Sequence, residues 1–111
     1  MLNNAFKILA IVFFAIAVAV HIYGLFYPIT SETTASHIAH ILSYSACLYS
    51  VFTQIKHSQF IYLVAAFYPI YFHAGCALAA DGSFNAVCVF VVVFMSIVSA
   101  WMFYTNRKVR A

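Results

Sequence analysis

Five histidines and three cysteines are the side chains of this 111-residue chain best suited to chemistry. Imidazole is the commonest metal ligand in proteins, and thiolate favours copper(I) and zinc. His21, His40 and His73 stand in three different apolar stretches, and His37 precedes His40 by three residues. Cys76 follows His73 at the same interval. Residues three apart on a helix are neighbours, so His37/His40 and His73/Cys76 are each placed to share a ligand. His21, His37, His40, His73 and Cys76 are therefore candidate ligands of a copper or zinc ion. Met95 and the other cysteines, Cys47 and Cys88, tilt that choice toward copper. A b-type haem is the alternative occupant, with His40 and His73 as axial ligands from facing helices and Gly24 and Gly75 making room for the macrocycle. Haem also brings two propionates. The connections nearest these histidines offer Glu32 and Asp81 rather than Lys or Arg, which suits a bare cation better.

The elements that must carry these residues follow from composition. Apolar residues make up 67% of the chain, charged residues 6%, and the mean hydropathy is +1.02. Soluble domains run roughly 45–50% apolar and about 25% charged. Seven charges cannot clothe a soluble fold, and lipid is the solvent that accepts the surplus. The charges divide the sequence into gaps of 24, 23, 24 and 25 residues free of Asp, Glu, Lys and Arg. A membrane helix needs about 20 mostly apolar residues. Each gap thus holds one span, over about 6–27, 34–54, 59–80 and 84–104.

The connections agree with this division. Pro28 stops the first helix, Ser and Thr before residue 34 supply N-caps, and Asp81-Gly82-Ser83 reads as a tight turn. Pro69 falls inside the third span, where a kink is expected. The apolar N-terminal stretch is longer than a signal-peptide core and reads as a retained span. All five Lys/Arg lie at the N-terminus, in the second connection or at the C-terminus. The positive-inside rule therefore puts both termini in the cytoplasm and the first and third connections outside. The expected fold is an all-α membrane protein: a single domain over 1–111, an antiparallel four-helix transmembrane bundle in a bacterial inner membrane.

Helical spacing also predicts which faces turn inward. The second span carries Ser36, His40, Ser43, Cys47, Ser50 and Gln54 on one stripe; the third carries Tyr62, Ala66, Pro69, His73 and Cys76. The first has Ala10, Phe14, Ala17, His21 and Gly24, and the fourth has Cys88, Val92, Met95, Ser99 and Met102. Small and polar residues on such stripes let helices approach and hydrogen-bond. At ~1.5 Å rise per residue, His21, His40 and His73 each lie ~9–10 Å from the outer helix ends, and His37 ~4–5 Å. Three helices thus bring histidine to one level in the outer half of the membrane, where ionisable side chains are costly and mark a site. His57, beside Lys56, belongs to the opposite face.

Several classes are excluded. The net charge of +3 is too small and scattered for nucleic-acid binding. No CxxC pair, paired carboxylates or glycine-rich phosphate loop occurs, and the lone Asp81 is not placed to orient a buried histidine. No catalytic constellation is visible. Three readings remain: a membrane protein binding a metal or haem, a small transporter subunit, and an accessory subunit of a larger complex or a homo-oligomer. In the last, the histidines would form a packing network with Tyr23, Tyr27, Tyr44, Tyr71, Ser36 and Ser43.

Overall fold

The computed structural model describes residues 2–27, 32–78 and 86–110. Four helices account for nearly all of them: α1 (Leu2–Phe26), α2 (Thr34–Thr53), α3 (Ser58–Ala77) and α4 (Ala86–Arg110). The expected stop at Pro28 and the turn at Asp81-Gly82-Ser83 lie outside the described residues. Thr33 caps α2 as its type suggests, its side-chain oxygen accepting the Ser36 backbone N–H at 3.1 Å. The link between α2 and α3 is tight. Gln54 closes α2 at φ 45° and His57 opens α3 at φ 68°, two left-handed residues that reverse the chain within four positions.

Among the described residues, three helical segments are long and apolar enough to cross a membrane: Asn4–Phe26, Ser58–Ala77 and Ala86–Asn106. α2 falls short of that measure. The physical reason is the polar content of the element itself, with Ser36, His37, His40, Ser43, Ser45 and Ser50 within 20 residues.

The helices pack in chain order, α1 on α2, α2 on α3 and α3 on α4. The ring closes through aromatic side chains between α1 and α4. Phe6 meets Trp101 with centroids 5.2 Å apart, and Phe13 meets Phe94 at 4.5 Å. The core runs through Ala10, Phe14, Tyr44, Cys47, Tyr62 and Met95, all but fully buried. Pro69 is buried within an uninterrupted α3. The Tyr62 hydroxyl donates to the Met95 carbonyl at 2.8 Å, tying α3 to α4 at the centre of the core. At one end, Asn106 donates from Nδ2 to Ser58 Oγ at 3.1 Å and to Gln59 Oε1 at 2.5 Å. The outward faces are aliphatic and aromatic: Val64 is 79% exposed, Phe67 71% and Leu42 68%.

The inward stripes on α1 and α3 are those the spacing predicts. On α2 the stripe is turned slightly. His37, His40, Tyr44, Cys47, Ser50 and Val51 are buried, while Ser36 and Ser43 are half-buried at its margin. Packing selects the larger Tyr44 and Val51 over the polar Ser43, because their volume fills the space between facing helices.

Candidate metal centre

Four histidines and one carboxylate converge at the end of the bundle away from His57. His21 comes from α1, His37 and His40 from α2, and His73 from α3. One ring nitrogen from each of His21, His40 and His73 lies within 4.8 Å of the others. These are the three histidines that helix rise places at one depth. A second triad, His21, Glu32 and His37, meets the same limit.

Glu32 organises the cluster. It stands just before the Thr33 cap, and Ser36 Oγ on the first turn of α2 donates to its Oε2 at 2.9 Å. Three imidazoles face that same oxygen: His40 Nδ1 at 2.8 Å, and the Nδ1 atoms of His21 and His37 at 3.5 Å each. Glu32 thus lies over the end of the bundle.

The partners of His40 fix its tautomer. Its Nδ1 faces two acceptors, Glu32 Oε2 and the Ser36 carbonyl at 3.0 Å, so Nδ1 carries the proton and donates. The lone pair of the neutral ring is then on Nε2, which is buried and has no hydrogen-bond partner. A carboxylate holding the far N–H of an imidazole is the usual way a metal-ligating histidine is oriented. His73 is similarly placed. Its Nε2 lies 3.1 Å from the Tyr44 hydroxyl, and its Nδ1 is buried without a partner. His37 Nε2 is a third such nitrogen.

Packing holds the rings in place. His21 stacks on His40 with centroids 4.3 Å apart and planes 11° from parallel. Phe72 meets the His40 ring edge-on at 4.7 Å, and Tyr68 lies at 4.9 Å. His37 rests on Gly24: a Cβ at that position would fall 2.6 Å from His37 Cε1. Glycine is therefore required there by the approach of the imidazole. The space at Gly24 goes to His37, whereas a Cβ at Gly75 would meet nothing within 4 Å.

Two apolar cavities reach the cluster. One, of about 530 Å³, is lined by Ile16, Val20, Tyr23 and Gly24 and touches His21, Glu32 and His37. The other, of about 390 Å³, opens between α1 and α4 and touches His21, Tyr44 and His73.

Four of the five candidate ligands read from the sequence are thus brought together. Cys76 is carried elsewhere: its thiol lies against that of Cys88 on α4, and among the described residues it joins neither triad. Three further rises along α3 lift it past the histidine level. Glu32 and Tyr68 are the participants that spacing within the spans missed. A signal for Glu32 does exist, because residues 32, 36 and 40 follow the four-residue helical rhythm if it is continued back through the cap. Comparison with known protein families, with characterised proteins and with solved structures finds no match for this chain.

Proposed function

We propose that this protein is a membrane-embedded metal-binding protein. Its histidines 21, 40 and 73 hold a zinc or copper(II) ion, with Glu32 orienting His40. One observation carries the reading: two buried nitrogens of that triad, His40 Nε2 and His73 Nδ1, lack hydrogen-bond partners. A hydrogen-bonded packing network accounts for the Nδ1 contacts to Glu32 but leaves those nitrogens unpaired, and each unpaired buried polar atom costs about 1–3 kcal/mol. A cation accepting their lone pairs removes that cost. The donors are nitrogen and oxygen, with thiols set apart, which suits zinc or copper(II) better than copper(I). Close ring packing around His40 favours a bare ion over haem.

The bilayer setting belongs to the same reading. All four helices span, α2 shielding its polar stripe behind the other three, and neighbours run antiparallel. The pairings His21–His37, Phe14–Tyr44 and Ser58–Asn106 support that arrangement. Both termini are cytoplasmic, and the metal lies toward the outer face of a bacterial inner membrane.

The test is elemental analysis of protein purified in detergent without a histidine tag or chelator. Zinc or copper at one equivalent per chain or more, and a rise in unfolding temperature on adding either ion, are expected. Metal-free protein whose stability ignores both ions would overturn the reading.

A further inference from the structure

We infer that the cluster is a two-ion centre in which the ring of His21 bridges the metals. This rests on the metal-binding reading above and extends it. His21 is the residue common to both triads. Its Nδ1 lies 3.0 Å from His37 Nδ1 and 3.5 Å from Glu32 Oε2, and His37 Nδ1 lies 3.5 Å from the same oxygen. These three distances are the edges of a triangle. A tetrahedral zinc ion with bonds of ~2.0–2.1 Å has ligand–ligand edges of roughly 3.3–3.4 Å. Little rearrangement is therefore needed for His21, Glu32 and His37 to form one face of a tetrahedron. Its fourth corner faces the 530 Å³ cavity that touches the same three residues.

Such close Nδ1 atoms require either one shared proton or a shared cation. Gly24 shows that the approach is built in, since any side chain there would displace the His37 ring. The remaining nitrogen of His21 lies on the far side of the ring. His21 and His40 both present Nδ1 to Glu32 Oε2, at 3.5 and 2.8 Å, which leaves Nε2 of each ring for a second position. His73 completes that second position with its unpartnered Nδ1. The two ions thus occupy opposite edges of one imidazole, and the bridging ring releases its single N–H proton to solvent when both are bound.

The charges agree with this arrangement. Two divalent ions bring four positive charges into an apolar setting, and Glu32 with a deprotonated bridging ring offsets two. Each ion also receives neutral imidazole from a residue the other does not use, His37 on one side and His40 with His73 on the other.

Zinc stoichiometry decides it. Tag-free protein in detergent, loaded with zinc chloride and freed of excess ion, should retain two zinc ions per chain. His37→Ala and His73→Ala should each retain one. Loaded with copper(II), the wild type should give an electron paramagnetic resonance spin count well below its copper content, because the bridging ring couples the two ions. Each variant should give the full count of an isolated copper(II). One zinc in the wild type, or a full spin count at two coppers, overturns the two-ion inference and leaves the metal-binding reading standing. No retained ion overturns both. The wild-type measurements need no variant, so a misfolded substitution does not decide the result.

Discussion

Replacing Gly24 with alanine isolates the His37 arm of the centre from the rest of the fold. The new Cβ would sit 2.6 Å from His37 Cε1, 2.9 Å from Nε2 and 3.1 Å from Nδ1. To reach ordinary contact at 3.4 Å, the ring must retreat by about 0.8 Å. Metal sites tolerate errors of about 0.2 Å in ligand distance, so that retreat is several times the allowance. The cost to the fold is small by comparison. The ring can move into the adjoining 530 Å³ cavity, and alanine gains up to about 1 kcal/mol over glycine within a helix. We expect metal-free Gly24→Ala to unfold close to the wild-type temperature, yet to lose the ion held by His37 or bind it at least tenfold more weakly, about 1.4 kcal/mol. Thermal unfolding in detergent with and without zinc, alongside zinc stoichiometry, measures both quantities. A variant that keeps the wild-type zinc content and affinity would refute the steric argument. One that collapses without metal would show that Gly24 serves packing alone.

Three other outcomes follow from the structure. His40→Ala should remove the stabilisation contributed by the ion that His40 and His73 share, which for a folded-state ligand at a hundredfold excess over Kd is about 2.7 kcal/mol; His57→Ala, exposed at the far end, should leave it intact, as thermal shift measurements will show. Tyr62→Phe deletes the buried bond to the Met95 carbonyl and should cost on the order of 0.6–1.7 kcal/mol in detergent unfolding, without changing zinc content. In a background lacking native cysteines, Thr33→Cys and Gly82→Cys should react with an impermeant maleimide added outside intact cells; labelling only after the inner face is opened would invert the orientation.

The four helices were legible because charge is so scarce: each uncharged gap is one helix long, and the structure places α1 to α4 within those gaps apart from their ends. The meeting of His21, His40 and His73 was legible for a related reason, since helix rise converts residue number into depth. What spacing within spans could not supply is the behaviour of a connection. Glu32 lies outside every span, and its position depends on the Thr33 cap and on Ser36, both local hydrogen bonds rather than periodic features. The stripe on α2 turned because periodicity weighs polarity, whereas packing weighs volume, and Tyr44 outweighs Ser43.

The position of Glu32 also bears on how the protein is made. His21, Glu32, His37 and His40 fall within twenty consecutive residues, and the longest loop that must close to join them is the nineteen-residue separation of His21 from His40. Loop-closure entropy rises only slowly with length, and short separations are closed early. A chain leaving the ribosome has therefore produced most of the donors once α2 is complete, before α3 and α4 exist. His73 arrives later, with Tyr44 waiting for it across a separation of 29 residues. The order of synthesis is thus also the order in which the donors become available, with none contributed by α4.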